Sequence, residues 1–531
     1  MQTSTQPTVS ANGTPARVTA DAAEGAEGVL GRVDADAPNA TNEHVYVRVP
    51  PAGRGQALRG QFVRIHDNTV ATEFLGLLVG GPFFPDDGTG SDVRARVEVH
   101  GELTGGRVID TNDRPAPGST VYPLSPDQVG DLLGCSGDML LGALTICRDL
   151  PVGLQSDSKD VLPRNVGVFG TVGSGKSNTA QVLIEESAAC GWAVLVLDVE
   201  GEYISMDAPG DTPGLAGALA RYARRPAGVP DFHVLHPASC ASERPDSKAF
   251  TLRLADFDTP IITELIQATL PERNALIECV EYFQNKTWQR MPTSETERMA
   301  GLLDPSPTAN RPFTLQQLYD RARERSPRST ELFDFLGLAT KLQWLINSGA
   351  FEQPNMNGLD PAAMLKPGRV TVIDVNVAND TVKNLATADL LRKTFAYKIA
   401  KTDAPPTLIV IEEAHSFISR EKVHTMQATL QMLRNVTRRG RKRWLSTLFV
   451  SQQPGHLPPE IFELCNTRLV HTLRSMHNLD ALMATTSDVT GELWARCPLL
   501  GTGEAILSSP QLKRSTIVTM RPAASRRKFV R

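Results

Sequence analysis

The chain has 531 residues, 41% hydrophobic, 21% charged and 6% aromatic, the balance of an ordinary globular protein. That length allows about three to four domains, or two if one is large, and a sizeable core that needs neither disulfides nor metals. With 55 basic and 59 acidic residues the net charge is −4, which excludes a uniformly basic nucleic-acid coat but permits basic patches on one face.

Residues 1–27 are mostly Thr, Ala, Ser, Gln and Gly with a single Arg, too polar to offset the entropy of ordering, and read as a disordered tail. Residues 28–135 carry short alternating runs: His44-Val-Tyr-Val-Arg-Val49, Gln61-Phe-Val-Arg-Ile65 and Val93-Arg-Ala-Arg-Val-Glu-Val99. Gly, Pro, Asn or Asp separates them, which predicts a small antiparallel β-barrel. Beyond about Leu150 continuous apolar strands alternate with helical segments, the pattern of a parallel sheet with crossover helices. The clearest strands are Val166 to Phe169, Ala193 to Leu197, Val370 to Ile373, Leu408 to Ile411 and Leu445 to Val450. The expected fold class is therefore α/β: a core in two parts, 136–255 and 351–520, interrupted by a helical insertion over 256–350. Within that insertion Thr259-Pro260 suits an N-cap followed by proline at the first helical position.

Gly170-Thr171-Val172-Gly173-Ser174-Gly175-Lys176-Ser177 lies between a predicted strand and a predicted helix over 179–189. Glycines at these positions let backbone N–H groups fold around a triphosphate, and the helix N-terminus adds its dipole. Lys176 reaches the β/γ-phosphates, and the Ser177 hydroxyl suits Mg²⁺. The next strand ends in Asp198-Val-Glu-Gly-Glu-Tyr203. Strand C-termini line the ligand crevice in such sheets, and Asp198, first off the strand, is the favoured site residue; a polar turn is the bland alternative.

The strand Leu408 to Ile411 runs into Glu412-Glu413-Ala-His415. Glu412 is expected to support Mg²⁺ through water and Glu413 to polarise the attacking water, with His415 a structural or relay residue. From Arg434 to Arg443 six basic residues occur without an acid. They read as a solvated face, as an arginine finger for a neighbouring subunit, or as a lining that neutralises DNA phosphates. Gln452, at the end of the next strand, suits orienting water or sensing the γ-phosphate. The basic run over 521–531 reads as a disordered tail, or as a strap to a neighbour or to DNA. Seven widely spaced cysteines without a Cys-x-x-Cys pair argue against a disulfide framework or zinc ribbon and point to a reducing cytoplasm. The longest apolar run, Phe74 to Phe84, has 11 residues, too few for a membrane helix, and the first residues lack the pattern of a secretory signal.

In this order the segments resemble the HerA family of DNA translocases, relatives of FtsK. Its carriers are Gly118-Ser-Thr-Val-Tyr-Pro-Leu, Leu162-Pro-Arg164-Asn165, the phosphate loop through Asn178, and Asp198-Val-Glu-Gly-Glu-Tyr203. Ile411-Glu-Glu-Ala-His415, Arg438-Arg-Gly-Arg-Lys442, Ser451-Gln-Gln-Pro454 and Cys465-Asn-Thr467 complete the set. The resemblance implies a β-barrel and a RecA-like P-loop ATPase core, assembled as a homo-hexamer around double-stranded DNA with ATP and Mg²⁺ as cofactors. It assigns nucleotide binding to Gly170 through Asn178, a further phosphate contact to Arg164, the catalytic carboxylate to Glu413 and a trans-acting finger to Arg438 or Arg441. It also implies a partner at the barrel face, a nuclease of the NurA type or a sirtuin-like or other effector, in DNA end resection or antiphage defence. Two residues depart from the family pattern: Glu412 where Asp is usual, and Gln453 where Arg is common. A second reading, from another class, is a ring scaffold that binds ATP chiefly to arrange an effector.

Overall fold

The computed structural model describes residues 28–35, 44–83, 93–109, 111–288, 313–328, 333–413, 427–458 and 463–528. The expected tail over 1–27 and the reading of His415 lie outside them. The chain forms two compact units, residues 1–125 and 126–531, so the boundary falls ten residues before the expected 135. The reason is local: helix α1 (Pro126–Leu133) leads directly into a strand of the second unit's sheet.

In the first unit, β1 (Gly31–Val33), β2 (His44–Val49), β3 (Phe62–Asp67), β4 (Thr72–Phe83), β5 (Val93–Thr104), β6 (Arg107–Ile109) and β7 (Thr120–Pro123) pair in the order β2-β1-β7-β3-β4-β5-β6. An additional antiparallel β2–β5 pairing closes six of them into a barrel, which leaves β6 as a hairpin on β5. Alternation along each strand sends Val45, Val47, Ile65, Phe74, Val97 and Val121 to the interior. Gly76 allows that packing, because a Cβ there would stand 2.5 Å from the Val97 side chain.

The second unit is built on one twelve-stranded sheet, ordered β13-β12-β14-β11-β15-β16-β10-β17-β18-β19-β8-β9. The strands are β8 (Met139–Leu144), β9 (Pro151–Leu154), β10 (Val166–Phe169), β11 (Ala193–Asp198), β12 (Phe232–Pro237), β13 (Lys248–Phe250), β14 (Val370–Asp374), β15 (Thr407–Ile411), β16 (Leu445–Ser451), β17 (Thr467–Val470), β18 (Glu504–Ser508) and β19 (Thr516–Met520). From β13 to β17 every pairing is parallel, and from β17 to β9 every pairing is antiparallel. Every residue of β10, β11, β14, β15, β16 and β17 is buried. These are strands covered on both faces, which is why they read as continuous apolar runs.

Helix α2 (Lys176–Ala189) follows β10, and α3 (Leu215–Ala220) lies between β11 and β12. The insertion contains α4 (Thr259–Leu265), α5 (Leu270–Trp288), α6 (Leu315–Arg325) and α7 (Phe335–Asn347), packed onto the sheet's own apolar core. The N-cap of α4 is Asp258, with Thr259 already helical and no side-chain cap bond. Proline's fixed φ is equally compatible with either of the first two helical positions, so the periodicity locates the helix only to within a residue. Helices α8 (Pro361–Met364), α9 (Asp380–Ala400), α10 (Gln427–Arg439), α11 (Met476–Met483) and α12 (Gly491–Arg496) complete the described set. Among the described residues no helix is long and apolar enough to cross a membrane.

The basic C-terminal segment is not a free tail over its described part, residues 521–528. Arg521 is buried, with its guanidinium on Glu185 at 3.0 Å and Glu186 at 2.7 Å. The Ala524 and Ser525 amides donate to Glu185, and Gln181 donates to the Ser525 carbonyl at 2.9 Å. The segment therefore runs along α2 of its own chain. Two carboxylates three turns into α2 supply the counter-charge that made the run look unpaired in the sequence.

Candidate active site

The chemistry-bearing residues gather at the C-terminal ends of the parallel strands. Between β10 and α2 the phosphate loop turns through Gly170, Gly173 and Gly175, the last two with φ of 74° and 113°, the left-handed region open to glycine. Gly170 also has a close neighbour: a Cβ there would lie 2.6 Å from the Cβ of His471. Val172 stands exposed at the tip of the loop. Lys176 is 6% exposed, and its Nζ donates to the Thr171 carbonyl at 3.0 Å. Burial holds its amine below the usual lysine range, and the nearby charges of Glu413, Glu412 and Glu202 partly oppose that.

Strand β16 lies between β10 and β15, so its end is the natural bridge from the loop to the acids. Gln452, the first residue beyond it, donates from Nε2 to Glu413 Oε1. Glu413 has φ 46°, a conformation uncommon for a residue with a Cβ and one that clusters at functional sites. Glu412 turns the other way. The buried Tyr203 hydroxyl donates to its Oε1 at 2.9 Å, while Oε2 is buried and has no hydrogen-bond partner among the described residues. Burial, then Asp198 and Glu202, raises the Glu412 carboxyl well above the usual range.

Four acids, Asp198, Glu202, Glu412 and Glu413, thus act on one another or on a single buried lysine. A divalent cation fits that excess: the orphan Glu412 Oε2 and the Ser177 hydroxyl at the start of α2 are the groups that could hold Mg²⁺. No group of three or more His, Cys, Asp or Glu suited to a metal occurs among the described residues.

Three residues expected at the nucleotide have their side chains engaged by other parts of the chain. Asp198 is fully buried and accepts from the amides of Gly201, Glu202 and Tyr203 at 2.8, 3.2 and 2.9 Å. Its carboxyl, pushed up to about 7 by burial against those amides and with Asp374 beside it, organises the turn that carries Tyr203. Asn178 turns its side chain to the C-terminal segment, donating to the Arg521 carbonyl and accepting from the Ala523 amide, both at 2.9 Å. Arg164 precedes β10 and so lies at the opposite end of the strand from the loop. There it pairs with Asp160 at 2.7 Å, and Arg441 binds the same carboxylate oxygen at 2.8 Å. Arg438 is exposed at the end of α10, ahead of β16. From the start of β16 to Gln452 is roughly 20 Å of extended chain, so these arginines are remote from their own chain's phosphate loop.

The residues missed in the sequence are Tyr203 as the holder of Glu412, and His471, buried under the phosphate loop. Tyr203 had a signal, an aromatic hydroxyl in an acidic turn just off a strand. His471 had none, being one histidine after a short apolar strand.

The profile described as "Helicase HerA, central domain" matches residues 139–394. The probable DNA double-strand break repair helicase HerA of Methanocaldococcus jannaschii is 23% identical over 455 residues, covering 80% of this chain and 84% of that protein. The DNA double-strand break repair helicase HerA of Pyrococcus furiosus is 21% identical over 467 residues, covering 81% and 78%. Among solved structures, VirB4 of Thermoanaerobacter pseudethanolicus aligns with a TM-score of 0.49 at 17% identity, covering 72% of this chain and 96% of that one. The bacterial conjugative coupling protein TrwB aligns at 0.46 and 11% identity, over 75% and 92%. With the phosphate loop, the acid-bearing strand and the Gly-Glu-Tyr turn brought to one end of the parallel strands, this chain is a P-loop ATPase whose residues 139–394 match the HerA central domain.

Proposed function

We propose that the chain is the ATP-driven motor of a six-membered ring that moves along double-stranded DNA and serves a nuclease or other effector docked on the barrel. The observation that carries this reading is the division of the site. Lys176, Ser177, Glu412, Glu413 and Gln452 stand at one end of the parallel strands, and Arg164, Arg438 and Arg441 at the other. A single chain holds both halves but cannot join them across the sheet, whereas neighbours in a ring can. Relatives named as DNA double-strand break repair helicases support DNA as the track.

In this reading the loop amides and Lys176 cradle the β- and γ-phosphates. Glu413 accepts hydrogen-bonding from the attacking water and draws its proton as attack proceeds. Gln452, already donating to Glu413, holds that carboxylate's orientation and reports the state of the γ-phosphate to β16. Ser177 and Glu412 would hold Mg²⁺, which neutralises developing charge on the phosphates. Arg441 or Arg438 of a neighbouring copy stabilises the same charge in trans. Arg164, sharing Asp160 with Arg441, belongs with that trans group rather than with its own chain's nucleotide. Exposed Arg438, Arg439 and Lys442 also suit sequence-independent contact with DNA phosphates, which weakens steeply with salt. The partner would be a nuclease of the NurA type, or a sirtuin-like or other effector, in end resection or antiphage defence.

The test is ATP turnover of the purified chain with and without linear duplex DNA, together with its mass in solution. A hexamer whose turnover rises with DNA and vanishes in Lys176→Ala is the expected result. A hexamer that binds ATP but stays slow and indifferent to DNA would replace the motor by a scaffold.

A further inference from the structure

We infer that His471 is a positioning residue of the nucleotide site, the pin that sets the phosphate loop and the first turn of α2 in register. The inference rests on the reading of residues 170–177 as the phosphate loop. His471 follows β17, the neighbour of β10 on the side away from Gln452, and is fully buried. Its amide donates to the Phe169 carbonyl at 2.8 Å, and the next carbonyl, Thr472, accepts from the Thr171 amide at 2.9 Å. The backbone thus holds the entry of the loop.

The imidazole holds the exit. Its Nδ1 lies 2.9 Å from the Glu504 carbonyl oxygen, which only accepts, so Nδ1 carries the hydrogen. Nε2 is then the acceptor for the Thr179 hydroxyl at 2.9 Å. Thr179 closes the first turn of α2, its amide donating to the Gly175 carbonyl at 3.0 Å. The loop's middle is tied to the same frame, because the Gly503 amide donates to the Ser174 carbonyl at 2.9 Å. A Cβ on Gly170 would stand 2.6 Å from the His471 Cβ, so the loop has no slack over this residue. The backbone at His471 and Thr472 holds the entry, the Gly503 amide the middle and the His471 ring the exit, so the ring joins the first turn of α2 to the frame that already holds the loop. Phosphate binding depends on several amides converging on one point. A small displacement of the frame weakens all of them together.

The experiment uses the full chain and four variants, reading ATP KM and kcat, the Kd for a fluorescent ADP analogue, and Tm without nucleotide. His471→Ala and Thr179→Val are expected to raise KM and Kd about tenfold or more with kcat within about threefold, the pattern of lost uniform binding. Glutamine extends its amide to where Nε2 was and asparagine only to where Nδ1 was. His471→Gln should therefore recover most of the affinity and His471→Asn should not, at similar Tm. Affinity that follows Tm across all four variants, or an unchanged KM in Thr179→Val, would overturn the inference. Thr179→Val keeps the side-chain volume, so the question survives if His471→Ala fails to fold. Normal ATP binding by Lys176→Ala would instead sink the phosphate-loop reading itself, a separate outcome.

Discussion

The two ends of the parallel strands differ as the two halves of a reaction site differ. At the C-terminal ends, Glu413, Glu412 and Glu202 act on one buried lysine, Asp198 acts on Glu412, and Tyr203 and Gln452 each donate to one of the two strand-end acids. At the N-terminal ends the charge is reversed: Arg164 and Arg441 share Asp160, and Arg438, Arg439 and Lys442 are exposed. The acidic end is buried: Lys176, Asp198, Glu412 and Glu413 are each less than a tenth exposed. The basic end is more exposed, as the proposed ring requires if its partner arrives from another chain. The contrast teaches that one copy carries acidic and basic groups at opposite ends of the same strands, the division on which the proposed ring rests.

The contrast breaks most strongly at Arg441. On the proposed trans role, Arg441→Ala should lower turnover by roughly 10³-fold or more, the loss seen for known arginine fingers, while the affinity of the chain for ATP stays within about twofold. Steady-state turnover alongside equilibrium nucleotide binding checks both halves of that statement.

Arg521 sharpens the acidic side, since the segment it anchors runs along α2 and ends with the Lys528 amide donating to the Glu202 carbonyl at 3.0 Å. Arg521→Ala leaves buried Glu186 with only Arg224 and partly buried Glu185 without its arginine, and should cost about 3–5 kcal/mol of stability. Denaturant unfolding measures it, and a loss under about 1 kcal/mol would show the segment to be peripheral.

Acid should weaken the same side. Burial depresses the His471 imidazole to about 4 from an ordinary 6.5, so the unfolded chain takes up a proton that the folded chain refuses. The stability His471 contributes is complete above about pH 6.5 and is lost as pH falls toward 4, at most about 3 kcal/mol. Asp198, with its carboxyl raised to about 7, pulls the other way. The pH dependence of wild type minus that of His471→Asn isolates the histidine. A flat difference between pH 7 and 5 would contradict its buried neutral state.

Tyr203→Phe is the smallest expected change. It deprives Glu412 Oε1 of its donor and should cost about 1–2 kcal/mol, read as lower Tm and weaker Mg²⁺-dependent nucleotide affinity.

Much of this was legible because it is written in short-range grammar. The phosphate loop declares itself by glycine and lysine spacing between a strand and a helix. The strand before Glu412 declares itself as an apolar run, and the barrel by alternation. What was not legible depends on contacts distant in the chain. Arg521 looked like part of a tail because its carboxylate partner, Glu185, lies 336 positions earlier. Strand β12 escaped because it is only partly buried and broken by two histidines, and the antiparallel strands β8, β9, β18 and β19 because no helix separates them in the expected rhythm. Asn178 fits the loop pattern by position, yet its side chain answers the C-terminal backbone. Spacing alone does not say which way a side chain turns.

The claim at the centre is that the two half-sites meet between copies, and mixing variants tests it most directly. Lys176→Ala lacks a working acidic end and keeps its arginines; Arg441→Ala has the reverse defect. Co-assembled in one ring, the pair should recover ATP turnover well above the sum of the two alone, because some interfaces then join an intact loop to an intact arginine. Mixed rings, verified by mass, that stay as inactive as their parents would contradict the account.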